Sequence, residues 1–422
     1  MIPKNIHMVG IGGIGMSALA QLLGARGHVI TGSDREESPT THLLEERGIH
    51  VEIGHGGEVP ERTELLIYSD AVQADNSERQ YAREKKIQQK SYFEILGEIT
   101  KSMRTVAVAG THGKTTTTSM IAKILSDAGE KPTAIIGSIV SDFGSNFLAG
   151  RDDLFIVEAC EYRDHLLELS PELLVITNIE LDHTDFFPSL SALQNTFRAA
   201  VEKVPESGAI IANPNDPHVA AVLKHAKARI VDYTQKAIGS LQLVGEFNRE
   251  NARAALAASQ AVAPKISQEA AVKSLSEFKG SWRRFEYKGE TPSGALVYDD
   301  YAHHPTAVAK TIQGVREKFP DKKIVVAFHP HLFSRTKSFL KEFAEALSKA
   351  DKAIVAPIYA AREANDPSVS NHILAEKAGG NVIALDSFDE IRGALLEEKE
   401  GALIVTMGAG DIYKVAEQIT EE

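Results

Sequence analysis

The chain has 422 residues, 43% apolar and 25% charged, enough for three globular domains at roughly 100–200 residues each. A formal net charge of −12 argues against a general nucleic-acid binder, and no apolar run reaches the ~20 residues that would span a membrane. No basic-then-apolar leader follows Met1, and Cys160, the single cysteine, cannot close an internal disulfide, so the expectation is a cytoplasmic protein, monomeric or homodimeric.

Apolar β-branched runs alternate with helical patterns along nearly the whole chain, the mark of a parallel α/β fold. Residues 5–10 read as a strand, 16–26 as a helix, and 28–32 and 65–68 as further strands. The pattern turns polar and helical over 81–102, which puts a boundary near 102. A second series opens with a strand at 105–109 and a helix at 115–127. It continues with strands at 154–157, 173–177 and 209–212 and helices at 249–261 and 268–278, and Gly280-Ser281 closes it. The third series has strands at 295–298, 324–328, 353–356, 382–385 and 403–406. The expected division is therefore 1–102, 103–281 and 282–422.

Gly10-Ile11-Gly12-Gly13-Ile14-Gly15 fits G-x-G-x-x-G between a strand and a helix, and Asp34 follows where a ribose-binding acid would sit. Glycines permit the tight turn, and the helix start offers N–H groups and a positive dipole end to a diphosphate. The motif alone favours a dinucleotide such as NAD over a plain packing turn, and leaves room for other diphosphates, UDP-sugars among them.

The run Val108-Ala109-Gly110-Thr111-His112-Gly113-Lys114-Thr115-Thr116 is more specific. A strand ends in a glycine turn, and Gly-Lys-Thr opens a helix. Backbone N–H groups would cradle phosphates, Lys114 would neutralise the β/γ oxygens, and Thr115 would ligate Mg²⁺. Val108 replaces the first glycine of the usual pattern. Two phosphate loops on separate units weaken the oxidoreductase reading, because hydride transfer needs no triphosphate grip. A non-catalytic nucleotide switch remains a third class.

A phosphate loop needs acids for its metal. Glu158 ends the strand Ile156-Val157 and is the candidate; for Glu161 surface and functional roles are balanced. Asn178, Glu180, Asp182 and His183 follow the next strand at the same expected sheet edge. In the third unit Asp299-Asp300-Tyr301-Ala302-His303-His304-Pro305 and His329-Pro330-His331 each follow a strand, which suggests a shared pocket. Zinc and substrate binding are both open there on residue type, with the shortage of cysteine and the lack of an H-E-x-x-H helix against zinc.

Together these stretches resemble the Mur ligase family, in its alanine-adding branch. The motifs G-I-G-G-I-G-M, G-T-H-G-K-T-T-T-T, E-A-C-E-Y-R, T-N-I-E-x-D-H, F-N-x-x-N, W-R-R-F, D-D-Y-A-H-H-P-T, P-H-x-F-S-R-T and G-A-G-D-I run in the family's order over almost the whole chain. The resemblance implies three α/β domains: an N-terminal Rossmann-like domain for a UDP-sugar, a central P-loop ATPase-type parallel sheet, and a C-terminal Rossmann-like domain. It implies ATP-dependent, Mg²⁺-assisted ligation of L-alanine to the lactyl carboxylate of UDP-N-acetylmuramate through an acyl phosphate, in peptidoglycan precursor synthesis.

By the same resemblance, Gly12, Gly13, Ile14, Gly15, Asp34, His55 and Ser69 hold the UDP-sugar, so the NAD reading recedes. Gly110, Thr111, His112, Gly113, Lys114, Thr115, Thr116, Asn248 and Asn251 hold ATP, and Thr115, Glu158 and His183 the metal. For the two asparagines, an amide cap on the following helix is an equal reading. Lys114, Glu158, His183, Arg284, Asp300 and His303 are expected at the reaction centre, and Tyr301, His303, His331 and Arg335 in the amino-acid and product pocket. Leu332 stands where some members have Arg, which would load the substrate carboxylate onto Arg335. The chain is also shorter than typical members. A sister branch that attaches a murein tripeptide is the nearest competitor; its Arg-Ser-Asn form is absent, and Ser334-Arg335-Thr336 favours the alanine-adding branch.

Overall fold

Three sheets organise the chain, and a computed structural model describes residues 2–421 apart from His55, Gly57 and Arg362. The first sheet has strands β1 (Asn5–Val9), β2 (Val29–Asp34), β3 (His50–Ile53), β4 (Leu65–Tyr68) and β5 (Gln88–Ser91), all parallel, in the order β3-β2-β1-β4-β5. The second has β6 (Arg104–Ala109), β7 (Thr133–Val140), β8 (Ser145–Leu148), β9 (Leu154–Glu158), β10 (Leu173–Ile176), β11 (Ala209–Ala212) and β12 (Arg229–Asp232). Its order is β12-β11-β10-β6-β9-β7-β8, and only the β7–β8 hairpin is antiparallel. The third has β13 (Glu286–Glu290), β14 (Leu296–Asp300), β15 (Lys323–Phe328), β16 (Lys352–Val355), β17 (Val382–Ala384) and β18 (Ala402–Met407). Here the order is β13-β14-β18-β15-β16-β17, with β13 the antiparallel edge.

Helices cover both faces of these sheets, so inner strands are apolar on both sides rather than alternating. All four residues of Leu173–Ile176 are buried, as are the last five of Arg104–Ala109. The helix Lys114–Asp127 sits between β6 and β7 and packs on the helix Glu246–Val262, whose alanines allow close approach. Both glycine-rich loops occupy the position the topology favours for a ligand. β1 and β6 each lie where successive connections leave in opposite directions across the sheet, and the crevice opens at their C-terminal ends.

Where the sequence reading saw only a polar helical stretch over 81–102, the structure has a helix Ser77–Glu84, the edge strand β5 and a helix Tyr92–Thr100. β5 reads Gln-Gln-Lys-Ser because only one side pairs, and none of its side chains is fully buried. The β7–β8 hairpin, also unforeseen, docks the first unit. Asn146, on β8, donates to the Ile14 carbonyl at 2.6 Å and to Ser17 Oγ at 2.8 Å, and accepts from Gln21 Nε2 at 2.9 Å. The Asn146, Ser17 and Gln21 side chains are all buried, so the network fixes the helix Ile14–Ala25 against the central sheet. The third unit is tied on by Trp282, whose N–H donates to Ile139 O at 2.8 Å and whose carbonyl accepts from Ser138 Oγ at 2.7 Å. Among the described residues, no helix is long and apolar enough to cross a membrane.

Candidate active site

A cleft of about 810 Å³ opens where the three units meet. Of the residues expected to serve ATP, metal and chemistry, Thr111, His112, Gly113, Lys114, Thr115, Thr116, Glu158, His183, Asn248, Asn251, Arg284, Asp300 and His303 all border it, as does Tyr301. From the first unit Ile14 reaches it.

The phosphate loop is built by backbone geometry. Gly113 caps the helix Lys114–Asp127 in the left-handed region, φ 84°, with no side-chain cap, so the first N–H groups of that helix stay free for an anion. A Cβ at Gly113 would also lie 2.2 Å from Asn251 Oδ1, so only glycine fits on both counts. The amide of Asn178 supports the loop by accepting from His112 N–H at 3.0 Å and donating to His112 O at 3.0 Å. Asn248 and Asn251 lie inside the first turns of the helix Glu246–Val262, which Gly245 caps instead. Asn248 Nδ2 donates back to Val244 O at 2.8 Å, and Asn251 Nδ2 to Asn248 Oδ1 at 3.2 Å. Asn251 thereby faces the phosphate loop rather than acting as a cap.

Lys114 Nζ folds over its own loop, donating to Gly110 O at 2.5 Å and pairing with Glu161 at 3.0 Å. The Glu161 side chain is 1% exposed, so its role is to hold this ammonium, a role the sequence had left open against a surface position. Burial works against the charge on Lys114, but Glu161, with Cys160 and Glu158, outweighs it and raises the pKa. Glu158 accepts from Gly137 N–H at 2.5 Å and from Thr115 Oγ1 at 3.2 Å. Burial raises its pKa against the pull of Gly137, Arg284 and Lys114. Across the unit boundary, Arg284 Nη2 donates to the same Thr115 Oγ1 at 2.9 Å. His183, at φ 51°, brings Nε2 to 3.8 Å from Glu161. Glu158 and Thr115 thus offer hard oxygen donors beside an anion-binding helix start, which suits Mg²⁺, and His183 is the third nearby donor.

His112 Nε2 lies 3.5 Å from Glu180, and the His304 ring lies 4.7 Å from the His112 ring, tilted by 49°. Ligand atoms of this trio fall within 4.8 Å of one another, but Glu180 and His304 already have hydrogen-bond partners, and His112 Nε2 is only in ion-pair range of Glu180. Glu180 accepts from Thr306 Oγ1 at 2.7 Å, and His304 Nδ1 accepts from Thr306 N–H while Nε2 donates to Leu181 O. Burial and neighbouring His112 push His304 down to about 4, and hydrogen bonding and charge from His112 bring Glu180 to about 2 despite its burial. These contacts tie the central and third units together.

Asp300, 7% exposed, accepts from Ala302 N–H at 2.7 Å; burial pushes it up to about 6 despite Arg284. His303 Nδ1 faces the Tyr301 carbonyl at 2.8 Å, and burial, then Arg335, hold its pKa well below the ordinary value. Arg335 is 3% exposed and does not border the cleft. It binds Asp182 through Nε at 3.0 Å and Nη2 at 2.9 Å, while Nη1 meets His331 Nδ1 at 3.1 Å. The expected carboxylate-binding arginine therefore sits in a buried pair, and Asp182, which the sequence reading named in its motif without a role, lines the cleft in front of it.

In the first unit Gly13 starts the helix Ile14–Ala25 with no side-chain cap. Asp34 Oδ2 accepts the Gly12 N–H at 2.7 Å and Oδ1 the Arg35 N–H, so the expected ribose acid is engaged in shaping the glycine loop. A Cβ on Gly12 would fall 2.9 Å from that carboxylate, and one on Gly15 2.8 Å from the Tyr92 ring. Ser69, whose N–H donates to Val9 O at 3.1 Å, stands beside Gly10, and His55 lies outside the described residues.

Residues 5–104 match the family described as Mur ligase family, catalytic domain, residues 108–240 the Mur ligase middle domain, and residues 283–410 the Mur ligase, glutamate ligase domain. UDP-N-acetylmuramate–L-alanine ligase of Caldanaerobacter subterraneus subsp. tengcongensis is 38% identical, covering 99% of this chain and 98% of the relative. The enzyme of the same name from Salinibacter ruber is 38% identical over 99% of this chain and 94% of its own length. Among solved structures, UDP-N-acetylmuramate–alanine ligase from Thermotoga maritima superposes with a TM-score of 0.82 at 27% identity, covering 99% of this chain and 98% of the other. A murein peptide ligase from Psychrobacter arcticus gives 0.74 at 25% identity, with the same coverage.

Proposed function

The chain belongs to the Mur ligase family, and from that premise we propose that it joins L-alanine to the lactyl carboxylate of UDP-N-acetylmuramate, hydrolysing ATP to ADP and phosphate, in peptidoglycan precursor synthesis. The observation that carries this reading is the meeting of Lys114, Thr115, Glu158 and Arg284, from two units, around an uncapped helix start. That is an arrangement for a triphosphate whose terminal group must pass to another anion.

A carboxylate oxygen attacks the γ-phosphorus, the bond to ADP breaks, and the acyl phosphate now carries a good leaving group. Both reactants are anionic, so offsetting their repulsion is the first task. The free N–H groups at Gly113 and Lys114 grip the phosphates, and Lys114 exchanges its loop carbonyls for phosphoryl oxygens while Glu161 keeps it protonated. Arg284 reaches in from the third unit. Thr115 and Glu158, with His183 beside them, would hold magnesium, which would supply charge neutralisation and Lewis acidity at the phosphoryl oxygens. The neutral amine of L-alanine then attacks the acyl carbon, a tetrahedral intermediate forms, and phosphate leaves as its C–O bond breaks, taking up the proton that the nitrogen sheds. His303, neutral with its Nδ1–H on the Tyr301 carbonyl, accepts a hydrogen bond from the amine through Nε2 and orients it. The glycine loop at Gly12–Gly15 takes the UDP diphosphate, and Asn248 and Asn251 border the nucleotide. The reaction belongs in the cytoplasm, where ATP and the UDP-sugar are found.

Phosphate release that requires L-alanine, UDP-N-acetylmuramate, ATP and magnesium together tests the proposal. Release that needs the murein tripeptide in place of L-alanine would move the chain to the sister branch, and release independent of either amine would overturn the ligase reading.

A further inference from the structure

One corner of the cleft has the opposite electrostatic character from the one its sequence suggests. Asp182 is 4% exposed and borders the cavity. Its Oδ1 accepts from His183 N–H at 2.7 Å and from Arg335 Nε at 3.0 Å, and is ion-paired with Arg335 Nη2 at 2.9 Å. No described residue donates to Oδ2. Asp182 lines the cleft, so that oxygen is left to a donor that enters the cavity. The carboxylate is ion-paired with the Arg335 guanidinium at 2.9 Å.

His303 borders the same cavity, and its ring lies 6.2 Å from that of His331, which meets Arg335. A carbonyl can only accept, so the 2.8 Å contact with Tyr301 O puts the ring proton on Nδ1 and leaves the Nε2 lone pair free. Arg335, behind Asp182, has its charge largely matched. Among the described residues the corner therefore offers acceptors, one of them a carboxylate, and no free cation. It is suited to a compact group with several N–H donors. It is poorly suited to magnesium, which demands near-octahedral oxygen coordination.

We infer that Asp182 Oδ2, with His303 Nε2, receives the ammonium group of the incoming α-amino acid. The inference rests on the ligase reading above and adds to it the residue that recognises the nitrogen. Asp182 binds this end of the substrate directly and fixes where the nitrogen waits; the ammonium gives one proton to His303 Nε2, which frees the lone pair that attacks the acyl carbon, and that proton leaves with the phosphate. Arg335 acts through Asp182 as a positioning residue, which explains why it is buried rather than exposed to the cleft.

Steady-state kinetics of the full chain with Asp182→Asn test this. The amide keeps the shape and an acceptor but removes the charge. The KM for L-alanine should rise about tenfold or more, as for loss of a charge-assisted hydrogen bond, with KM for ATP and for the UDP-sugar nearly unchanged. The magnesium titration should not move, and hydroxylamine should still trap the acyl phosphate formed without amino acid. L-Lactate, which keeps the carboxylate and methyl but replaces the ammonium by hydroxyl, should compete about tenfold more weakly than L-alanine binds to the parent enzyme. That gap should shrink in Asp182→Asn.

An unchanged alanine KM, equal losses for L-alanine and L-lactate, or a shift in magnesium requirement alone would overturn the inference. Should the variant not fold, equal affinity of the parent for L-alanine and L-lactate would overturn it as well. A parent enzyme that traps no acyl phosphate at all would instead refute the ligase reading, so the two failures are distinct.

Discussion

Arg284, from the third unit, and Thr115, from the phosphate loop of the second, share a hydrogen bond of 2.9 Å, which makes the loop complete only when the two units are docked. Its neighbour Arg283 points elsewhere. It is 4% exposed, pairs with Asp299 at 2.8 Å and donates to the carbonyl of Gly410 at 3.0 Å. Adjacent in sequence, the two arginines have separable jobs. Arg284→Met should lower kcat/KM by about 10²–10³-fold with little change in melting temperature, since a preorganised cation facing the transferred group is lost. Arg283→Met should cost about 3–5 kcal/mol in denaturant unfolding, because Asp299 is left buried and unpaired. Equal effects of both on stability would refute the division.

Lys114 and Glu161 form a second separable pair. Lys114→Ala removes the phosphate grip and also strands a carboxylate whose side chain is 1% exposed. The expected result is loss of ATP turnover by at least about 10²-fold together with about 3–5 kcal/mol of stability. The double variant Lys114→Met/Glu161→Gln should recover most of the stability and none of the activity. Chemical denaturation and phosphate release on the same samples check both halves; recovered turnover in the double variant would remove Lys114 from the proposed chemistry.

How much of this could be read in the sequence depends on the range of the interaction. The glycine loops, Lys114 and the ends of β6, β9 and β10 were legible because strand, turn and helix start are local, and inner strands buried on both faces read as apolar runs. Edge strand β5 was not, because a strand paired on one side carries polar side chains. Asn146 was equally invisible, since its partners Ile14, Ser17 and Gln21 belong to another unit. Within the site, the residue types were readable but their pairing was not. Nothing local separates Arg283 from Arg284, Glu158 from Glu161, or shows that Arg335 would be matched by Asp182.

Glu158 is the candidate metal acid, and its position predicts how its loss should appear. Its carboxylate lies against Gly137 N–H and Thr115 Oγ1, the hydroxyl that Arg284 also touches. Glu158→Gln keeps those two contacts within reach and removes the charge. The magnesium concentration for half-maximal rate should therefore rise, by about tenfold if one charged ligand is worth ~1.4 kcal/mol there. KM for L-alanine should stay unchanged. A magnesium titration superimposable on the parent's would exclude Glu158 as a ligand.

Asp300 ties pH to stability with a sign that can be worked out. Burial, only partly offset by Arg284, raises its carboxyl from 3.8 to about 6. The folded state thus holds this proton more tightly than the unfolded state does, and the charged form costs stability above pH 6. The cost is greatest at neutral and alkaline pH, about 3 kcal/mol for a shift near two units, and it fades as pH falls through 6 towards 4. Asp300→Asn removes the titration while its amide oxygen can still accept from Ala302 N–H, now 2.7 Å away. The variant should consequently be more stable than the parent at pH 8, by up to about 3 kcal/mol, and nearly equal to it near pH 4. Its ligase activity should nonetheless fall, because Asp300 borders the cleft at the expected reaction centre and would serve there in the charged form that folding disfavours. Urea unfolding at several pH values measures the first effect and phosphate release the second. A stability difference that grows as pH drops would contradict the raised pKa, and a variant both stabilised and fully active would show that the buried charge serves no purpose at this site.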